Sequence, residues 1–276
     1  MRGSSFFEGV RQVDAEIAGQ PAKLPAFYYE AAEITALFPA RLAELRRLLP
    51  DRRLAPARLA PALGVVAVSC LEYGDTDIGP YNELAIAIPL NEPFFRPNPP
   101  GRALLAASRR HQVHSFILHL PVTTEIALRG GVDVFNFPKF LGSIEFDDAG
   151  SRRRCRLAEG KEPILTFTGP RLPATGKERL QYFNHLWMDG QPQQAEFAIN
   201  RLQLARSLRP GAALLELGER HPIARELDRL LVSRRSLQYE YVPRFEAILH
   251  GPEHLTLPLL QKLVTTTGTG ERLSIG

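Results

Sequence analysis

Alternating apolar and polar positions set most of the pattern along this chain. From Ala26 to Phe38 the run carries Phe27, Tyr28, Tyr29, Ile34 and Thr35, the aromatic and β-branched content of a strand, whereas residues 1 to 25 are only weakly patterned. Leu42, Leu45 and Leu49 recur at helical spacing between Pro39 and Pro50. That spacing predicts an amphipathic helix opened by Pro39, lying on a sheet with Arg46 and Arg47 toward solvent. Val65 to Tyr73 is apolar on both faces and reads as a buried strand. In Tyr81 to Pro89, Leu84, Ile86 and Ile88 share one face, while Tyr81, Glu83, Ala85 and Ala87 share the other. A face of alanines around one carboxylate leaves room beside it, as the interior of a ligand-holding barrel would.

Asn91 to Pro100 contains four prolines with Phe94 and Phe95, so it predicts a loop whose aromatics cap something. Arg102 to Arg110 has the alanine and leucine of a short helix, and His114 to Leu120 reads as a strand. Pro121, Thr123 and Thr124 predict the start of a helix carrying Glu125 and Ile126 and ended by Gly130-Gly131. From Ser143 the chain becomes a meander: Ile144 and Phe146, a turn at 147–151, Arg152 to Leu157, a turn at Glu159-Gly160, then Ile164 to Thr168. Strands follow near 180–188, 194–206 and 213–217, then a helix stripe of Ile223, Leu227, Leu230 and Leu231, and a last strand from Leu237 to Val242. Many short strands with few helices predict a mainly β (α+β) fold, a closed and largely antiparallel β-barrel with a few peripheral helices. The barrel is expected to be a single domain over residues 1–251, followed by a loose tail at 252–276.

Composition narrows the functional classes. A chain of 276 residues with 44% hydrophobic content can bury a substantial core in one domain. The net charge of +4 comes from arginine pairs spread along the chain, at 46–47, 52–53, 109–110 and 234–235, with a run at 152–154. Spread pairs read as solvated faces, and basic residues are not interleaved with aromatics as a nucleic-acid groove would require. No stretch approaches 18 apolar residues, and the start lacks the apolar run of a signal peptide, so no membrane partner and a cytoplasmic location are expected. Two cysteines, Cys70 and Cys155, read as reduced core thiols. His114 and His119 fall on opposite faces of their strand, so together with His111 they read as structural or surface residues, and no metal site is expected. No Gly-x-Ser-x-Gly elbow, P-loop or Cys-x-x-Cys occurs, and Gly268-Thr269-Gly270 lacks the context of a dinucleotide site.

The most unusual chemistry lies between Gly130 and Gly142. Lys139 follows Pro138 and sits among Phe135, Phe137, Phe140 and Leu141, in a chain with only five lysines among 34 basic residues. An ammonium flanked by that much apolar surface either reaches water with its stem on the rings, or stays with its charge disfavoured. The second outcome makes a nucleophile, because a desolvated lysine can lose its proton and form a Schiff base where an arginine cannot. Glu83, among small apolar face-mates, is either an outward strand residue or a base beside such an imine.

Phe137-Pro138-Lys139-Phe140-Leu141-Gly142, preceded by Glu125-Ile126-Ala127 and Gly131, resembles the active-lysine segment of the acetoacetate decarboxylase superfamily. Tyr81-Asn82-Glu83 with Ala87-Ile88-Pro89, and Trp187-Met188-Asp189-Gly190, fall in that family's order at about its spacing, over roughly residues 24 to 250. The resemblance implies a Schiff-base lysine at Lys139 and a retained glutamate at Glu83, with Tyr81, Phe137 and Phe140 as substrate-binding neighbours. It also implies a homo-oligomer acting on a small keto acid without a cofactor. Three departures stand out: Phe140 replaces the second lysine whose charge helps activate the first, Ala31 stands near the family's carboxylate-binding arginine, and Val68 stands near a second glutamate. Desolvation or an approaching arginine would then have to activate Lys139.

Three activities fit this reading. The first is decarboxylation of a small β-keto acid through a Lys139 imine. A second keeps the imine but uses it for aldol addition and dehydration on pyruvate or a related keto acid. The third is a non-catalytic barrel that binds a small ligand.

Overall fold

The computed structural model describes residues 4–52, 54–91, 99–188 and 191–251. The chain opens with a hairpin of β1 (Val13–Ile17) and β2 (Gln20–Leu24), which the weak patterning of the first 25 residues did not reveal. Its inward face is only Ala15, Ala22 and Leu24, too short a run to register as alternation. The long strand β3 (Ala26–Arg41) follows, and α1 (Leu42–Leu48) comes after it. Pro39, expected to open the helix, instead continues the strand.

Next come β4 (Arg58–Ala60), β5 (Leu63–Thr76), β6 (Tyr81–Pro89), α2 (Arg102–Arg110) and β7 (Gln112–His119). After α3 (Glu125–Arg129), β8 (Ser143–Ala149), β9 (Arg152–Glu159) and β10 (Glu162–Pro170) form the expected meander. The chain ends its described part with β11 (Gly176–Met188), β12 (Gln191–Ser207), β13 (Leu214–Leu217), α4 (Pro222–Leu230) and β14 (Gln238–Leu249). Phe94, Phe95, Asp189, Gly190 and the tail from Pro252 lie outside the described residues.

Hydrogen bonding runs β3-β14-β12-β11-β7-β6-β5 and returns from β5 to β3, closing a barrel of seven strands. Six of the seven contacts are antiparallel, and β7 with β11 is the parallel one. A parallel pair cannot be joined by a tight turn and needs a long crossover. Here the crossover is residues 120–175, which carry both the Lys139 segment and most of a second sheet, ordered β13-β10-β9-β8.

That second sheet covers one side of the barrel. Val66, Val68 and Cys70 of β5 and Leu84, Ile86 and Ile88 of β6 point outward into a shared core with Ile144, Leu157 and Phe167. Burying such a set stabilises by about 1.5–3 kcal/mol per large side chain, which ties the second sheet to the barrel. Period-two alternation then sends Glu83, Ala85 and Ala87 inward, as the sequence pattern predicts.

Candidate active site

Lys139 reaches the barrel interior from a segment with no regular structure of its own. Three stretches of backbone hold it. The helix α3 does not stop at Gly130-Gly131, as the glycine pair suggested, but runs on as a π-helical turn, Gly130–Val134. Asn136 then takes a left-handed conformation (φ 53°), and the Phe137 amide donates to the Gly131 carbonyl at 3.0 Å. Residues 120–122 act as a splint: the Leu120 amide donates to Pro138 O at 3.1 Å, and the Val122 amide to Phe140 O at 2.9 Å. On the other side of the splint the Leu84 amide donates to Pro121 O at 3.1 Å, and Val122 pairs with Glu83.

The splint brings two residues 56 positions apart into contact. Lys139 Nζ donates to Glu83 Oε2 at 2.7 Å, with the two side chains 6% and 11% exposed. Tyr73 Oη donates to the other Glu83 oxygen at 3.2 Å, so the carboxylate is held from both sides. Tyr73 lies between Tyr28 and Tyr81, with ring centroids 4.6 and 4.7 Å away, and the hydroxyls of Tyr28 and Tyr81 are 3.2 Å apart. Nζ stands 5.9 Å from the centroid of the Tyr81 ring, a favourable cation–π placement. Burial, reinforced by the nearby Glu83 carboxylate, pushes the Tyr28 and Tyr73 phenols upward. Tyr81 is raised by burial, then by Tyr28 and Glu83. All three remain neutral hydroxyls at physiological pH, and Tyr73 remains a donor.

Above the pair lies a cavity of about 570 Å³, lined near the lysine by Glu83, Tyr73, Tyr28, Phe137, Leu120 and Ile117. Phe135 and Phe137 stack at 5.3 Å and are buried beside Leu120 and Ile117, which keeps that side of the lysine dry. Tyr81 contacts the amine but is not among the residues lining the cavity. Phe140, expected beside a substrate, packs against the outer core between barrel and second sheet. In an extended segment consecutive side chains point oppositely, so Lys139 facing inward sends Phe140 outward.

The departures noted in the sequence also acquire positions. Val68 faces the outer core, and the cavity-facing neighbours at that level are Ala67 and Ser69. Ala31 is buried in a cluster with Tyr28, Tyr73 and Phe245. A cavity arginine does exist, Arg201 on β12, which sequence reasoning missed. It donates to Glu240 at 2.8 Å, Glu33 at 3.1 Å and Glu178 at 3.3 Å, and is 1% exposed. The signal was Glu33 and Glu240 set among apolar neighbours on their strands, since buried carboxylates require a paired cation. Burial pushes the Glu33 carboxyl up even against Arg201, whereas Arg201 and Arg206 together hold Glu240 down.

The histidines are engaged elsewhere. His119 meets Glu226 at 2.7 Å, His111 meets Glu178 at 3.2 Å, and His114 meets His185 at 3.2 Å. Among the described residues no group of three or more His, Cys, Asp or Glu is arranged to hold a metal ion, and no helix is long and apolar enough to cross a membrane. Both cysteines are free and buried.

The site thus offers one enclosed amine, one carboxylate able to take or return its proton, and a phenol fixing that carboxylate. Solved structures with the same fold include the acetoacetate decarboxylase of Legionella pneumophila subsp. pneumophila, at 15% identity and TM-score 0.55, covering 83% of this chain and 86% of that one. The enduracididine biosynthesis enzyme MppR complexed with pyruvate aligns over 92% of this chain and 95% of its own, at 13% identity and TM-score 0.57. MppR complexed with the condensation product of pyruvate and imidazole 4-carboxaldehyde aligns over 83% and 87%, at 14% identity and TM-score 0.51. Comparison with curated protein sequences yields no match. At these identities the solved structures speak to the fold alone. The model of the acetoacetate decarboxylase (ADC) family, however, matches residues 17–252, covering barrel, second sheet and lysine segment together, and the chain belongs to that family.

Proposed function

We propose that this protein is a cofactor-independent carbon–carbon lyase that decarboxylates a β-keto acid through an imine on Lys139. The observation that carries the reading is the Lys139–Glu83 pair, 2.7 Å apart on the wall of a cavity. In the resting site the ammonium proton is shared with Glu83, and its transfer to the carboxylate frees the amine. Nζ then forms a bond to the ketone carbon, and the carbonyl oxygen leaves as water. The protonated imine accepts the electron pair of the breaking carbon–carbon bond as carbon dioxide departs. Glu83, within reach of the resulting enamine, returns a proton to carbon, and hydrolysis releases the ketone. Desolvation by Phe135, Phe137 and Leu120 strengthens each of these charge interactions. The test is carbon dioxide release from acetoacetate and from longer β-keto acids. The wild type should accelerate release and Lys139→Met should not; equal rates would refute the reading.

A second reading uses the same imine for aldol addition and dehydration, the enamine attacking an aldehyde and water leaving. A cavity of about 570 Å³ has room for both reactants, and MppR has been solved with such a condensation product. A new conjugated-enone absorbance on mixing pyruvate with an aromatic aldehyde, without gas release from β-keto acids, would select it. Absence of both reactions and of any lysine adduct would leave a non-catalytic binding barrel. We also propose a cytoplasmic homo-oligomer, checked by light scattering and cell fractionation.

A further inference from the structure

The barrel interior is larger than acetoacetate or pyruvate needs. Its volume of about 570 Å³ is in the range that accommodates drug-sized ligands, roughly 300–1,000 Å³. The space has a definite shape. On one wall Ala67 pairs with Ala87 and Ser69 with Ala85, so two neighbouring strands present little beyond methyl and hydroxymethyl groups. Ala67 and Ala85 are half-buried although their strands are central in the sheet, because the surface they expose is the cavity itself. Across the barrel, β11 and β12 present Tyr182, Phe197 and Ile199, and beside Ala87 stands its cross-strand partner Ile117, so the gap lies between small residues and aromatic or branched ones.

Little of the polarity in this wall is left to bind a second ionic end. Thr35 and Ser69 share a hydrogen bond at 2.7 Å, and Ser115 donates to Asn184 at 2.8 Å. Both terminal nitrogens of Arg201, the buried guanidinium, are held by Glu33, Glu178, Glu240 and the Tyr182 hydroxyl, which leaves only its Nε without a partner. A charged tail would have to break such pairs, whereas an apolar tail meets methyl and ring surface. Along β6 the inward residues Glu83, Ala85 and Ala87 succeed one another at about 7 Å, so a tail leaving an imine beside Glu83 reaches Ala85 and then Ala87.

We infer that the compound held at Lys139 is a keto acid with a bulky apolar tail of about aryl size, and that Ala67, Ala85 and Ala87 set this specificity by leaving the space it fills. The inference rests on the imine reading of Lys139 and narrows its substrate class.

The test compares borohydride trapping of acetoacetate and of 3-oxo-5-phenylpentanoate on the intact protein, read by mass spectrometry as half-saturation concentrations. The phenyl compound should half-saturate at a concentration at least about tenfold lower, the discrimination typical of a hydrophobic pocket. In Ala85→Leu and Ala87→Leu that preference should fall by about tenfold or more, with Ala85→Val as the milder substitution should leucine prevent folding. Equal trapping of the two compounds, or an unaltered preference in the variants, would overturn the inference. If neither compound is trapped, the imine reading fails on its own. The tail site is then read from thermal stabilisation by 4-phenylbutanoate, which has no ketone. Stabilisation of the wild type that is lost in Ala85→Leu supports the site, and no stabilisation, or the same in both, refutes it.

Discussion

The side chain of Lys139 lies across the α-carbon of Gly131, so that a β-carbon at position 131 would overlap Cδ and Cε of the lysine and stand 3.1 Å from Nζ. Gly131 is therefore needed for the path it leaves open, and its φ is not in the left-handed region. Of the glycine pair that reads as a helix stop, Gly131 is the floor under the Lys139 side chain and Gly130 faces Ile17. Gly131→Ala should leave the barrel folded and push the amine off Glu83. A displacement of about 1 Å costs on the order of a hundredfold in rate. Borohydride trapping rates alongside circular dichroism check this, and unchanged trapping in a folded variant would contradict it.

Glu83 and Tyr73 should separate in size of effect. In the proposed reaction Glu83→Gln removes the group that takes the ammonium proton, and positioned acid–base groups typically contribute 10²- to 10⁴-fold. Imine formation in that variant should slow by about that factor. Tyr73→Phe removes one hydrogen bond to the carboxylate, worth about 1.5–3 kcal/mol when an acceptor is charged, and should slow it by roughly tenfold to a hundredfold. Tyr73→Phe as damaging as Glu83→Gln would mean that the phenol itself handles the proton.

Arg201 is a question of stability. Removing one partner of a buried ion pair leaves an uncompensated charge and costs about 3–5 kcal/mol. Arg201→Met, which strands Glu33 and leaves Glu240 with Arg206 alone, should lower stability to urea by that amount. Adding Glu33→Gln to Arg201→Met should recover part of it, because Glu33 is already pushed toward its neutral form. An Arg201→Met protein as stable as wild type would show that the cluster is solvated.

Acid sensitivity has an identifiable source. Burial first, and the neighbouring His114 second, push the His185 imidazole from 6.5 down to about 4. As pH falls through 6.5 the unfolded chain takes up this proton while the folded one does not. The contribution is thus complete above pH 6.5 and declines until about pH 4, where the folded state also protonates. The span corresponds to a loss on the order of 3 kcal/mol. Urea unfolding at pH 7 and pH 4.5 should show a smaller drop for His185→Gln than for wild type; identical drops would contradict the assignment.

Much of this was readable in the chain because local physics decided it. Arg102–Arg110 is a helix with the predicted ends, and Tyr81–Pro89 divides its faces as its alternation requires. The β1–β2 hairpin escaped because its inward face is three small or medium residues. The contact of Lys139 with Glu83 could not come from spacing, since 56 residues and the splint at 120–122 separate them; family resemblance suggested both residues, and the fold supplies the geometry. Phe140 was misplaced because hydrophobicity does not say which of two cores a side chain enters. Arg201 was overlooked because arginines are ordinarily solvated.

The most direct measurement is borohydride reduction of the protein in acetoacetate, followed by peptide mass spectrometry. An isopropyl group on Lys139 Nζ is the predicted result, since it records both imine formation and loss of carbon dioxide. An unmodified Lys139 after reduction with every keto acid supplied would contradict the account.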